Sequence, residues 1–212
     1  MTSIVRSIVT FVRWRLARRK AARFGRPRYL GRGFEVGRDV CIDEGAVIGH
    51  DVKIDGNITI GENADVGNGA LLLGSIVMGA NAVVGRQTYV GTGPEGHIAI
   101  GNNVFINDFS KIGAMKRLII EDHCIFAAFL EITDAEHGTG ADQYVQYAPI
   151  TAEPVKIGEG VWLGSHVVVL KGASIGPRSV IGAHSLVKGE IASDCIAFGI
   201  PARVHQSRPE YS

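Results

Sequence analysis

The chain has 212 residues, of which 46% are hydrophobic and 20% charged, and its net charge is +1. This composition excludes a disordered chain and is enough for one or two domains with a buried core. No apolar run approaches the ~20 residues that span a bilayer. Three scattered cysteines, Cys41, Cys124 and Cys195, exclude a disulfide framework. We therefore expect a cytoplasmic protein.

The first 34 residues form a basic segment. They contain ten Arg or Lys and no Asp or Glu, whereas the rest of the chain contains twelve basic and twenty-one acidic residues. Within this segment, residues 3–22 have the spacing of an amphipathic helix, with Val5, Ile8 and Val12 on one face. We expect residues 1–34 to form a helical cap over the next domain, to contact the inner face of the membrane, or both. No motif for reading nucleic acid accompanies the charge.

A hexapeptide repeat begins at Val36. Stepping by six meets an aliphatic residue ten times in succession, at Val36, Ile42, Ile48, Ile54, Ile60, Val66, Leu72, Met78, Val84 and Val90. Glycine usually follows this residue, and a period of six fits a short strand and a turn better than a helix or an alternating strand. The repeat slips, continues to Ile132, and returns from Ile157 to Val187. The pattern predicts an all-β protein with a parallel β-helix over 35–204, an inserted loop at 138–154 and a tail at 205–212.

His137 stands at the largest break in the repeat. A histidine that leaves a regular strand beside a long loop is well placed for chemistry, and imidazole titrates near neutral pH. It could take the proton of a hydroxyl as a general base. Asp134 and Glu136 are the nearest carboxylates in sequence, but strand alternation directs both away from His137. The plain alternative is a surface histidine on a loop.

The motifs after this loop resemble a known family. They are Val161-Trp-Leu-Gly-Ser-His166, Val180-Ile-Gly-Ala-His184 and Gly199-Ile-Pro-Ala-Arg203, all within the repeat [Ile/Val/Leu]-Gly-x-x-[small]-x. The chain resembles the hexapeptide-repeat acyltransferases, in particular the branch of galactoside and maltose O-acetyltransferases and of capsule and O-antigen acetyltransferases. The resemblance implies a left-handed β-helix, a homotrimer and acetyl-CoA as the acyl donor.

The same resemblance implies the roles of three catalytic groups. His137 matches the general base, and Asn107 matches an asparagine that orients the acceptor hydroxyl. Ser165 matches the residue whose backbone N–H faces the thioester carbonyl, where an oxyanion develops. Asn107 could equally be a turn residue that replaces the usual glycine of its hexad.

The resemblance also implies a coenzyme site. Ala183 matches a small residue beside the pantetheine, and Arg203 matches a basic residue near the phosphates. Lys188 stands where the branch often has threonine and could also serve a phosphate. Trp162 matches a tryptophan that lines the acceptor or pantetheine region, or it is a simple packing aromatic. The helical N-terminal region that supplies an acidic substrate residue in sugar acetyltransferases has no counterpart.

These residues predict an acetyl-CoA-dependent O-acetyltransferase that acts on a saccharide or a related small hydroxyl in cell-surface polysaccharide synthesis. One alternative is a non-catalytic β-helix scaffold. The other is a zinc enzyme of the gamma carbonic anhydrase type, which needs three histidines on its metal. No two of the seven histidines lie within six residues of each other, so we predict no metal site.

Overall fold

The computed structural model describes residues 23–37 and 39–209. The helix predicted over 3–22 lies outside these residues. No helix in the described ranges is long and apolar enough to cross a membrane. The strands, in chain order, are β1 Arg23–Phe24, β2 Tyr29–Leu30, β3 Glu35–Val36, β4 Val40–Ile42, β5 Val47–Ile48, β6 Lys53–Ile60, β7 Asp65–Val66, β8 Leu71–Met78, β9 Val83–Val84, β10 Tyr89–Thr92, β11 Ile98–Ile100, β12 Phe105–Ile106, β13 Lys111–Ala114, β14 Leu118–Ile120, β15 Ile125–Phe126, β16 Glu131–Thr133, β17 Ala135–His137, β18 Ile150–Ala152, β19 Val155–Ile157, β20 Trp162–Leu163, β21 Val168–Val169, β22 Ser174–Ile175, β23 Val180–Ile181, β24 Leu186–Val187, β25 Glu190–Ile191, β26 Cys195–Gly199 and β27 Ala202–Ser207.

The strands stack into a three-sided parallel solenoid. Side 1 runs β2-β5-β7-β9-β12-β15-β20-β23-β26, and sides 2 and 3 share one sheet that divides at the long strands β6 and β8. Side 2 contains β10, β13, β16, β21 and β24, and side 3 contains β11, β14, β19, β22 and β25. We call the corner between sides 1 and 2 the first corner and the corner between sides 2 and 3 the second corner. The predicted parallel β-helix is confirmed, and the architecture is consistent with the left-handed winding that the resemblance implies.

The hexad positions form the core. Ile42, Ile48, Ile54 and Ile60 are fully buried, as are the corresponding residues of the later coils. Each strand therefore presents one aliphatic side chain to the interior, and the coils stack because their backbones hydrogen-bond above and below.

The solenoid begins earlier than predicted. Phe24 pairs with Ile42 and Leu30 with Ile48, so residues 23–34 are strands and turns of the first coil and do not belong to a helical cap. Each of the two is followed by glycine, and a Cβ on Gly31 would overlap the carbonyl oxygen of Gly49 in the next coil. The hexad step thus extends back to Phe24, where dense arginines obscure it.

Two other predicted boundaries also differ. The segment 138–154 is not simply a loop, because β18 lies in it and pairs antiparallel with β17. The segment 205–212 is not simply a tail, because residues 205–207 belong to β27, which pairs antiparallel with β26. This last hairpin covers the exposed edge of the final side 1 strand.

Candidate active site

The first corner brings four of the predicted site residues onto one edge of the solenoid. Asn107 follows β12, and Trp162 lies two coils further along side 1, beside Ile125. Ser165 and Ala183 stack on successive coils, and the N–H of the residue after Ala183 donates to the Ser165 carbonyl at 2.9 Å. Trp162 is 52% exposed, so it is not a core aromatic.

The Asn107 amide has a defined orientation. Its Oδ1 accepts the Asp108 backbone N–H at 2.8 Å. The Asp108 carboxylate in turn accepts hydrogen bonds from the Arg86 guanidinium at 2.6 and 2.9 Å, and these bonds hold the pKa of Asp108 below its usual value. Within the described residues the Oδ1 has this backbone donor and the Nδ2 has no partner, so the Nδ2 is the group available to a ligand. Asn107 can therefore act as a hydrogen-bond donor in the site.

Ser165 offers a backbone donor at the same corner. Within residues 23–37 and 39–209, its N–H has no hydrogen-bond acceptor, whereas the N–H of the next residue, His166, donates to the Ala128 carbonyl at 3.2 Å. Ser165 is half-buried. A free N–H on this edge of the solenoid is the type of donor that stabilises an oxyanion.

An aromatic ladder rigidifies this corner. Phe109, Phe129, His166 and His184 stack on successive coils with ring centroids 5.2, 5.0 and 4.6 Å apart. All four have left-handed backbone conformations, with φ between 57° and 62°. Such φ values are costly for bulky residues, so the stack offsets strain at the turns that carry Ser165 and Ala183.

His137 lies at a different place, the second corner. It is the last residue of β17, where it is exposed and pairs with Ile150 of β18. Asp134, fully buried at the base of this hairpin, accepts the backbone N–H groups of Met115, Lys116 and Arg117 at 2.7, 2.8 and 2.7 Å. The Glu136 carboxylate pairs with Lys171 at 2.7 Å. The carboxylates nearest to His137 in sequence thus have other partners.

The predicted residues therefore form two groups within one chain. Side 2 separates His137 from the first corner by a strand such as β16, which spans roughly 10 Å. Lys188 follows β24 and belongs to the second corner, where it is exposed. Arg203 lies on β27 opposite Phe198, whose Cβ is close to Gly182 at the first corner.

Sequence reasoning missed three charged residues of the site. Arg86 and Asp108 fix Asn107, and Lys171 holds the His137 hairpin. The first two could have been found, because they occupy adjacent coils at the same corner. The sequence around Lys171 does not indicate its role, because its partner Glu136 lies before the inserted segment 138–154 and Lys171 lies after it. In the part of the chain that the structure describes, no three His, Cys, Asp or Glu side chains are grouped to hold a metal.

Residues 154–189 match the model of the bacterial transferase hexapeptide, six repeats. This segment of the solenoid carries the hexapeptide repeat of bacterial transferases. The chain is 32% identical over 117 residues to the putative lipopolysaccharide biosynthesis O-acetyl transferase WbbJ of Escherichia coli. The aligned region covers 51% of this chain and 60% of that protein. The chain is 33% identical over 108 residues to the galactoside O-acetyltransferase of E. coli, covering 51% and 53%. It thus spans only half to three-fifths of these relatives.

Solved structures give the same result for the fold. A hexapeptide-repeat-containing acetyltransferase from Vibrio cholerae superposes with a TM-score of 0.50 and 27% identity, covering 60% of this chain and 74% of that one. The polySia-specific acetyltransferase NeuO superposes with a TM-score of 0.53 over 92% of this chain and 90% of that one, but at 19% identity it shows the fold alone. The resemblance to hexapeptide-repeat acyltransferases, and to their galactoside and O-antigen branch, is confirmed.

Proposed function

We propose that the protein is an acyltransferase that moves the acetyl group of acetyl-CoA to a hydroxyl of a saccharide or a related small molecule. The observation that carries this proposal is the first corner, where the free Ser165 N–H and the Nδ2 of Asn107 are two donors on one exposed edge. The names of the relatives, which are O-acetyltransferases of lipopolysaccharide biosynthesis and of galactosides, support the reaction class and a role in cell-surface polysaccharide synthesis.

The reaction is a direct transfer. The imidazole of His137 takes the proton of the acceptor hydroxyl as its oxygen attacks the thioester carbonyl. Asn107 Nδ2 orients that hydroxyl, a C–O bond forms, and the Ser165 N–H stabilises the resulting oxyanion. The intermediate collapses, the C–S bond breaks, and the coenzyme leaves as its thiol with the proton that His137 held.

The acetyl-CoA site follows the same edge toward the C-terminal hairpin. Ala183 is exposed and too small to block a pantetheine chain, and Arg203 is exposed on β27. A guanidinium makes paired hydrogen bonds to phosphate oxygens, which suits the nucleotide end of the coenzyme. Lys188 supplies a further cation from the second corner.

A complete site needs two copies of the chain. Since one copy places His137 and the first corner roughly one strand apart, the second corner of one copy would meet the first corner of its neighbour. Exposed apolar side chains surround the first corner and would be covered by such contacts: Phe105, Phe109, Ile125, Phe129 and Trp162. We propose a homotrimer in the cytoplasm, with the basic N-terminal residues available to the inner face of the membrane.

The deciding experiment compares wild type with His137→Ala. Thiol release from acetyl-CoA is followed with a panel of methyl glycosides, and amino sugars are included to separate O- from N-acetylation. We expect the substitution to lower kcat by roughly 10²- to 10⁴-fold and to leave acetyl-CoA binding by calorimetry unchanged. Near-normal turnover would refute the assignment of the base. Folded wild-type protein that does not bind acetyl-CoA at millimolar concentration would instead favour the scaffold alternative.

A further inference from the structure

The hairpin β17–β18 stands off the solenoid and presents His137. Within the described residues, nothing hydrogen-bonds to the His137 ring, so the position of the imidazole depends on the backbone that carries it. At the base of the hairpin, the Asp134 carbonyl accepts the Glu153 N–H at 2.9 Å. Two residues further out, a second contact joins the hairpin to the solenoid.

Lys171 provides that contact. Its ammonium group lies 2.7 Å from a Glu136 carboxylate oxygen on β17, and it donates to the Thr151 hydroxyl on β18 at 2.8 Å. A third partner, Glu153, lies 3.5 Å away at the end of β18. Glu136 and Thr151 are directly opposite each other in the hairpin. One cation therefore holds both strands one residue before His137.

The environment of Lys171 differs from that of a surface lysine. Its side chain is only 17% exposed, against 67% for Lys111 and 57% for Lys156 in their ion pairs. Exposed pairs of that kind contribute little, whereas a sequestered cation with several partners defines a geometry. The hydrogen bond to Glu136 is the main cause of the raised pKa of Lys171, so the cation persists over the physiological pH range.

The backbone of Lys171 is itself fixed by the solenoid. The Gly172 N–H donates to the Glu153 carbonyl at 3.1 Å, and the Leu170 N–H donates to the Val187 carbonyl at 3.0 Å. Gly172 has a φ of 71°, a left-handed conformation that lets the chain turn directly after Lys171.

We propose that Lys171 is a positioning residue that fixes the His137 hairpin for acetyl transfer. The proposal rests on the proposed function, because it concerns the geometry of the general base. Lys171 is not a catalytic residue: it acts through Glu136 and Thr151 on the backbone of His137. Misplacement of a reacting group by about 1 Å costs up to roughly 100-fold in rate, so loss of the brace should reduce catalysis and leave coenzyme binding intact.

The test uses Lys171→Met, which keeps the length of the side chain and removes the charge, and Lys171→Arg as the conservative variant. With acetyl-CoA and the best methyl glycoside, we expect Lys171→Met to lower kcat by roughly 10- to 100-fold, with the KM for acetyl-CoA within about twofold of wild type. Lys171→Arg should restore part of the rate. The matched control is Lys156→Met, which breaks an exposed pair with Glu121 on side 3 and should change neither constant.

A second measurement does not depend on the acceptor. Amide hydrogen exchange at residues 135–137 and 150–152 should be faster in Lys171→Met, while the amides of sides 1 and 3 should be unchanged. If Lys171→Met does not fold, the exposed substitutions Glu136→Gln and Glu153→Gln, combined, should produce the same two effects.

Three results would overturn the proposal: unchanged exchange in the hairpin, unchanged kcat, or a raised KM for acetyl-CoA with normal kcat, which would place Lys171 in coenzyme binding. The His137→Ala variant separates these results from failure of the function. If His137→Ala is inactive and Lys171→Met is normal, only the role of Lys171 is wrong.

Discussion

At the scale of single residues, the hydrogen bond from the Asp108 N–H to the Asn107 Oδ1 determines which end of the amide faces a substrate. Asn107→Asp would keep an acceptor for that N–H but replace the Nδ2 donor with an oxygen. We expect kcat to fall by roughly 100-fold while acetyl-CoA affinity stays unchanged, because the lost donor orients the acceptor hydroxyl for attack. Steady-state kinetics and calorimetry on the same preparation check this.

A matched control for this substitution exists on the same coil. Asn103 also occupies a corner, with φ of 55°, but its side chain accepts a hydrogen bond from the Asn81 amide away from the first corner. Asn103→Asp should retain wild-type kcat. If Asn107→Asp is as active as Asn103→Asp, the donor role of Asn107 is wrong.

The cysteines allow a prediction about reactivity. Cys124 is fully buried at a small hexad position, and its burial raises its pKa to about 11. At pH 8, below this pKa, only about one thiol in a thousand is ionised, and the thiolate is the reactive form. Native protein treated with iodoacetamide at pH 8 should therefore leave Cys124 unmodified, and denaturant should expose it. Peptide mass spectrometry measures both states, and fast labelling of native protein at Cys124 would contradict the burial.

At the scale of elements, the aromatic ladder makes a graded prediction about stability. Phe129 stacks on both Phe109 and His166, whereas His184 ends the ladder and stacks on His166 alone. Each aromatic contact contributes about 0.5–1.5 kcal/mol. We expect Phe129→Ala to lower the free energy of unfolding by about 1–3 kcal/mol and His184→Ala by about half as much. Urea unfolding curves measure both, and an equal or larger loss in His184→Ala would show that the stack is not the stabilising feature.

The coils could be predicted from the sequence because their period is a local property. One aliphatic residue in six, followed by glycine, fixes which side chain enters the core, and the 18-residue separation of Ser165 and Ala183 predicts that they stack. The first coil was missed because its Phe24 and Leu30 lie among arginines, in a stretch assigned to the basic cap.

The features of the site that the sequence could not predict depend on contacts between residues on either side of a break in the six-residue repeat. The antiparallel pair β17–β18 has no hexad, and the Lys171 contacts join residues on both sides of it. The alternation of side chains along a strand also does not show that His137 and Asn107 lie at different corners. Their separation depends on which side of the solenoid each strand belongs to.

At the scale of the whole molecule, the separation of the two corners bears on how copies of the chain would assemble into a complete site. The chain has three sides, and side 2 lies between the His137 hairpin and the donors at the first corner. In the proposed trimer, the second corner of each copy would face the first corner of one neighbour, and every site would take His137 from one copy and Asn107 from the next.

Mixed oligomers test this arrangement. His137→Ala and Asn107→Ala are each expected to be inactive alone, but mixed oligomers would contain sites with an intact His137 from one copy and an intact Asn107 from another. Every mixed trimer contains one intact site of three, so variants co-expressed with two different tags and selected for both tags should recover about a third of the wild-type activity per trimer, whereas separately assembled variants mixed afterwards should stay inactive. Tandem affinity purification followed by the thiol-release assay measures the recovered activity. Mixed oligomers without activity would mean that both residues act within one chain, and the hairpin would then have to reach across side 2 to the first corner of its own copy.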